Sequence, residues 1–305
     1  MIIRTVLGDI PPSELGVTTC HEHLLWNVPE PYQEEDPDLG FDSIPAAVAE
    51  LRYFSANGGS ALVEMTTPEI GRCPAELKQI SLASSIHVIA ATGHHKHKFS
   101  SSLLVDKTES QIAEEMIKDI CLGMDSTNIR AGVIKAATSE NQAYDCEQKV
   151  IAAAGIAHRE TGAPVSTHTE SGTYALQQIE LLQKAGIPPS KTLIGHLDRG
   201  LPFETYRAIA KTGVYMGFDQ IGKEKYWPDA ERVELIVQLI QSGHLNQILL
   251  SGDTARKSSW HTYNPVSGGI AHLLVKFLPR LRSAGIHEDV IHSILVDNPA
   301  SFLAF

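Results

Sequence analysis

Eight short runs of apolar and β-branched residues are spread along the chain, separated by segments in which apolar residues return every three to four positions. The runs are VTTCHEH (17–23), SALVEMT (60–66), HVIAATG (87–93), RAGVIKAA (130–137), PVSTHT (164–169), KTLIGHL (191–197), GVYMGFD (213–219) and QILLSGD (247–253). Nearly continuous apolar character over so few residues fits strands buried on both faces, because a half-exposed strand would alternate apolar with polar. The segments between them, such as IPAAVAELRYFSANG, QIAEEMIKDICLG, CEQKVIAAAGIAHRETG and AERVELIVQLIQSG, place an apolar stripe on a helix and carry a glycine that can end it.

Strands alternating with helices predict an α/β fold with parallel strands, and eight such units predict a (β/α)8 TIM barrel as one domain over residues 1–305. An open doubly wound sheet is the second architecture this alternation allows. On the barrel reading, residues from about 1 to 14 form a small strand or hairpin and about 15 to 285 form the barrel. GIAHLLVKFLPRLRSAG is then the last barrel helix, and residues from about 287 to 305 form a closing helix.

Composition narrows the class of partner. With 43% hydrophobic and 20% charged residues the chain can bury a sizeable core, and a formal charge of -11 without any long basic run argues against nucleic acid. No stretch has the length and apolarity of a signal peptide or a membrane span, so the expectation is a cytoplasmic protein with a small-molecule partner and no membrane association. The cysteines are scattered without a CxxC pair, which excludes a zinc knot or disulfide framework as the organising device. Histidine is different, because several of the 14 copies fall where the runs end.

In a barrel of this kind the reactive site forms at the C-terminal ends of the strands. The first run ends in HEH, and side-chain alternation puts His21 and His23 on one face while Glu22 turns away. Lys135, His168, His196 and Asp253 lie near the same end of the fourth, fifth, sixth and eighth runs. Each has an ordinary structural reading, the histidines as hydrogen-bonded core residues and Asp253 as a helix N-cap in its loop. Together they form the set of nitrogen and oxygen donors that zinc and similar divalent ions prefer. Lys135 is the anomaly, since an ammonium in an apolar strand must be paired or lose its proton.

The motifs TTCHEHL, RAGVIKAATS, PVSTHT, IGHLDR and LLSGD, in that order, followed by the NPASFL ending, resemble the phosphotriesterase family of the amidohydrolase superfamily over essentially the whole chain. The family includes lactonases and phosphotriesterase homology proteins. The resemblance implies a centre of two divalent metal ions, with zinc expected. His21, His23 and Asp253 would hold the more buried ion, and His168 and His196 the more exposed one. Lys135, carboxylated by carbon dioxide to a carbamate, would bridge both together with a hydroxide. Burial frees the neutral amine that this chemistry needs, and the anionic carbamate replaces an orphan cation. The implied reaction is hydroxide attack on a lactone or other carboxylic ester, with Asp253 as the catalytic residue that takes the proton. Phosphotriester hydrolysis is the alternative within the family, and a non-catalytic metal-dependent binding protein is the alternative from another class. A homo-oligomer, specifically a dimer, is also implied.

Loops choose the substrate. QIGKEKYWPDAER, after the seventh run, offers Lys223, Lys225, Tyr226 and Trp227, and TARKSSWHTYNPVSGG, after the eighth, offers Arg256, Lys257, Trp260, His261 and Tyr263. Cations in the mouth loops of an acidic protein point to an anionic group on the substrate, a phosphorylated sugar lactone among the candidates. Ordinary solvated charges are the competing reading. ATGHHKHKF, after the third run, adds His94, His95, Lys96 and His97 where lactonases resembling this chain typically carry tyrosine. The candidate substrate contacts are therefore Lys223, Tyr226, Arg256, Lys257, Tyr263, His95 and His97.

Overall fold

The computed structural model describes residues 1–305, the side chain of Pro31 apart. An antiparallel hairpin of β1 (Ile3–Thr5) and β2 (Gly8–Ile10) precedes eight strands: β3 (Thr18–Glu22), β4 (Ala61–Glu64), β5 (His87–Gly93), β6 (Val133–Ala137), β7 (Val165–His168), β8 (Thr192–Ile194), β9 (Tyr215–Phe218) and β10 (Ile248–Leu250). These eight pair in parallel and in sequence order from β3 to β10. The chain never reverses strand order as a doubly wound sheet must, and the fold is a (β/α)8 barrel.

The seam between β10 and β3 is closed by hydrogen bonds at and just beyond the strand ends. The Ser251 hydroxyl accepts from the His21 N–H at 3.0 Å and lies 2.7 Å from the His21 carbonyl, which also accepts from the Asp253 N–H at 3.1 Å. Glu22, pointing away from the lumen, completes the closure. Its carboxylate accepts from the N–H of Gly252 at 2.9 Å, the N–H of Thr254 at 3.0 Å and the Thr254 hydroxyl at 2.6 Å. This fully buried acid ties the first strand to the loop that carries Asp253.

Side-chain alternation divides the core in two. Ala61, Val63, Met65, Ile89, Ala91, Val133 and Leu249 fill the barrel, while Leu62, Val88, Ala90, Ile134 and Leu250 pack outward against the helices. Lys135 shares the inward row of β6 with Val133, so the strand pattern alone aims it into the lumen. The bottom of the barrel is plugged by Ile3, Leu15, Phe302 and Leu303, and the chain ends meet there through reciprocal hydrogen bonds of Ile2 and Phe305, each 2.9 Å. The open end is therefore the top, where the strands finish.

The helices Ile44–Ala56, Glu109–Cys121, Asp145–Thr161 and Asp229–Gln241 fall where the apolar stripes predict them. The C-terminal part departs from expectation. The last barrel helix opens with wide π turns at Leu273–Phe277 before Leu278–Ser283, and the closing helix is Glu288–His292, a π segment Ser293–Asp297, and Asn298–Leu303. Pro279 and Pro299 each follow a π segment by two positions. Each lacks an N–H and crowds the carbonyl four residues back, a misfit that a wider turn relieves. No helix among the described residues is long and apolar enough to cross a membrane.

Candidate metal centre

Strand ends bring four imidazoles around Lys135. The His21 ring centroid lies 5.8 Å from that of His23 and 4.9 Å from that of His196, and His168 meets His196 at 4.5 Å. Lys135 Nζ is 3.3 Å from His21 Nε2. Asp253 Oδ1 lies 3.5 Å from His23 Nε2 and 4.0 Å from His21 Nε2. All six expected ligands thus line one small cavity, of about 100 Å³, with Trp26, His95 and Gln220 also on its wall.

Two of these residues depend on unusual backbone. His196 and Asp253 lie past the ends of β8 and β10 with φ of 59° and 46°, left-handed conformations that a non-glycine residue adopts at a cost of order 1–3 kcal/mol. Gly195 makes the first turn feasible, since a Cβ there would meet the Thr167 carbonyl at 2.3 Å and Asp219 Oδ2 at 2.9 Å. For Asp253 the bonds to His21 and the Glu22 clamp hold the turn in place.

Asp219, the last residue of the seventh run, is the main participant that motif reading did not single out. Its Oδ1 accepts from the His196 N–H at 2.8 Å and from His196 Nδ1 at 2.7 Å. Its Oδ2 lies 3.3 Å from His21 Nδ1, and both atoms are buried and otherwise unpartnered. One carboxylate therefore backs a histidine of each expected metal. Burial opposes its charge, but the His196 and His21 imidazoles outweigh that and hold its carboxyl far below the usual range. An acid at a strand end was the available signal, the same one that marked Asp253.

The donor set fits a divalent metal pair. Asp219 occupies Nδ1 of His196, and Thr66 Oγ1 lies 2.8 Å from Nδ1 of His23, which leaves Nε2 of each ring to face the cavity. His21, His23 and Asp253 present donor atoms within 4.8 Å of one another. Burial brings Lys135 down to about 8, against the pull of the Asp219 and Asp253 carboxylates, so its neutral amine is accessible near neutral pH.

A model of the phosphotriesterase family matches residues 1–303. The chain belongs to the phosphotriesterase family. It is 36% identical over 327 residues to a phospho-furanose lactonase of Mycoplasmopsis synoviae, covering 99% of this chain and 91% of that protein. A lactonase from Listeria monocytogenes superposes with a TM-score of 0.94 at 33% identity, over 100% of this chain and 99% of that one. An organophosphorus hydrolase from Deinococcus radiodurans gives a TM-score of 0.87 at 31% identity, over 100% of this chain and 97% of that one. This phosphotriesterase-family protein is accordingly a hydrolase of a binuclear, metal-dependent class, and it carries potential metal-ligand groups in the barrel mouth.

The expected substrate contacts divide into those at the mouth and those elsewhere. Lys223, Tyr226 and Arg256 line a second cavity, of about 350 Å³, with Lys225, Thr254 and His272. Lys223 departs from its expected place: its ammonium is ion-paired with Asp253 Oδ2, which also faces the Gln220 amide at 3.4 Å. This pair joins the two cavities. Burial pushes the Asp253 carboxyl up, but Lys223, the adjoining His23 and the neighbouring imidazoles together hold it well below its ordinary value. Arg256 pairs with Asp36, and Asp38 accepts from the Ser258 N–H at 2.8 Å. The acidic stretch 34–38 thus straps across to the eighth loop, a charge complementarity legible in EEDPD that motif reading passed over.

His95 lies on the metal cavity wall, 4.8 Å from the His168 ring, with Nδ1 buried and unpartnered. His97 does not reach the site. Its ring stacks on Tyr144 at 4.1 Å and its Nδ1 is 3.3 Å from Cys146 Sγ, because the helix His97–Leu104 starts there and turns it outward. Lys257 and Tyr263 are not among the residues lining either cavity. Lys257 opens a short 3-10 turn, and Tyr263 packs 5.9 Å from Trp260 with much of its ring exposed.

The buried imidazoles make the metal-free protein acid-labile. Burial lowers His21 to about 3 and His23 to about 4 from an ordinary 6.5, and holds His95 and His168 well below it. Between pH 6.5 and those values the unfolded chain takes up protons that the folded one refuses, so stability falls as pH falls. Glu64 works the other way, because burial raises it to about 7 and the folded state binds its proton first. Burial raises Glu22 and Asp198 as well, but the four histidines, joined by the depressed carboxyls of Asp219 and Asp253, outweigh these three acids. Urea midpoints of the stripped protein are expected to drop steadily between pH 6.5 and about 4, and a flat or rising midpoint would contradict the neutral-imidazole cluster.

Proposed function

We propose that the protein hydrolyses a lactone or related carboxylic ester bearing an anionic group, a phosphorylated sugar lactone being the best fit. The observation that carries this reading is the junction at Lys223: the cavity holding the donor set meets a larger one with Lys225 and Arg256 on its wall. A volume of about 350 Å³ is in the range of small-molecule sites. Lys225 has no ion-pair partner among the described residues and a neutral phosphotriester would leave it so, which makes the organophosphorus chemistry of some relatives the weaker match. The kinship with phospho-furanose lactonases supports the same choice.

Four imidazoles and a carboxylate suit zinc, and Lys135, as a carbamate formed with carbon dioxide, completes the set with an anionic oxygen. When bound, the metal pair supplies Lewis acidity toward the ester carbonyl and lowers the pKa of water. The chain's own residues do the rest. Asp253 Oδ1 faces His23 and the cavity, placed to take the nucleophile's proton, while Lys223 and Gln220 fix Oδ2 and so the carboxylate plane. Arg256 and Lys225 orient the distal anion.

A matched pair of lactones, one phosphorylated and one not, tests the proposal with metal-loaded enzyme. Arg256→Ala is expected to lower kcat/KM for the phosphorylated lactone by about tenfold, mainly through KM, and to spare the neutral one. Equal losses on both substrates would make Arg256 a structural residue of the strap and remove the anionic-substrate reading.

A further inference from the structure

We propose that Thr66 is a positioning residue for the reaction: through its hydroxyl, the buried Glu64 carboxylate fixes His23 as the tautomer protonated on Nδ1 and so aims Nε2 at the metal cavity. Thr66 lies two residues past β4 and is buried. Its hydroxyl carries one hydrogen and has three polar neighbours, Glu64 Oε1 at 2.5 Å, His23 Nδ1 at 2.8 Å and the Leu25 carbonyl at 3.1 Å. The Leu25 carbonyl can only accept, and an ionised Glu64 likewise, so the hydroxyl hydrogen goes to Glu64 Oε1 when that carboxyl is ionised and to the Leu25 carbonyl when it is protonated, in neither case to His23. His23 Nδ1 is left to donate to the hydroxyl oxygen, and its single neutral-ring proton is thereby placed.

Glu64 is held as an acceptor at both oxygens. Oε1 also receives the Leu24 N–H at 3.2 Å, and Oε2 receives the Thr66 N–H at 3.1 Å. A fully buried carboxyl is costly unless hydrogen-bonded, and here three donors from two segments meet that need while orienting the third residue in the chain. Trp26 packs edge-on against the His23 ring at 4.3 Å, which fixes the ring plane. The opposite tautomer would require Thr66 to donate to Nδ1, stripping Glu64 of its hydroxyl partner and placing an N–H where the cavity needs a lone pair.

The proposal rests on the metal-centre reading of His23, and zinc titration separates the two. The full-length protein is stripped of metal and titrated with zinc against a chromophoric chelator. Thr66→Val is expected to weaken the tighter zinc step by about tenfold or more, while Thr66→Ser, which keeps the hydroxyl, stays within about threefold of wild type. Unchanged zinc affinity in Thr66→Val overturns the proposal alone. A wild-type protein that binds no zinc overturns the metal-centre reading and the proposal with it. Nitrogen NMR of metal-free wild type labelled at histidine gives a test independent of any variant's folding: His23 protonated on Nδ1 supports the relay, and His23 protonated on Nε2 overturns it.

Discussion

Lys135→Ala is expected to hold fewer than two metals per chain and to lose ester turnover by roughly 10³-fold or more, the equivalent of several kcal/mol that a metal centre supplies. The side chain is 2% exposed and faces His21 at 3.3 Å, so no surface residue can take its place. The barrel itself should survive. Burial already disfavours the ammonium, bringing it down to about 8, and its removal relieves that penalty in exchange for a cavity in the barrel mouth. If Lys135 carries the proposed carbamate, acetate or propionate in excess should enter the space and restore part of both metal content and turnover by standing in for it. Elemental analysis decides the matter. Full metal content in the alanine variant would refute the bridging role of Lys135.

Asp219→Asn should weaken metal binding by about 10- to 100-fold, the cost typical of losing the partner behind a ligating histidine. The carboxylate accepts from His196 at two positions and stands 3.3 Å from His21. An asparagine can offer its oxygen to only one of these rings and must turn its amide N–H groups toward the other, where another donor already points. Asp219→Glu offers no repair, because Gly195 and Gly217 are already close enough that a Cβ on either would lie 2.9 or 3.0 Å from Asp219 Oδ2. Because the residue backs one histidine from each expected metal, both binding steps should weaken together. A variant in which only one step changes, or neither, would show that the two rings are held independently of it.

Much of the fold was open to inference from local pattern. Ala61, Val63 and Met65 point inward and Leu62 outward because strand geometry alternates, and that alternation is written in the chain before any contact forms. The placement of Lys135 and His168 follows from the same rule together with the general position of barrel sites, and so does the shared face of His21 and His23, although an irregularity in β3 between Thr19 and Glu22 lets Cys20 join the barrel interior beside His21. His97 shows its limit. It is two residues from His95 and so belongs to the same face on a strand, but β5 ends at Gly93 and a helix begins at His97, which sends the ring toward Cys146.

By itself the sequence determined the class of architecture, the order of its strands and the identity of the six residues at their ends, since periodicity and motif spacing are properties of neighbours along the chain. Tertiary structure alone decided which partners those residues keep. Lys223 carries the same charge whether it serves a substrate or a neighbour, and only loop packing brings it onto Asp253, 30 positions away. Glu22 reads as the residue that turns away from the site, yet barrel closure puts it against Gly252 and Thr254, where it holds Asp253 in place. Asp219 shares its strand-end signal with Asp253 and Thr66 has none in the chain, and only the fold shows that one backs His196 and His21 and the other meets His23. A hydrogen bond between residues remote in sequence depends on a distance that no local pattern encodes, and the closed barrel sets that distance by bringing eight strand ends to one mouth.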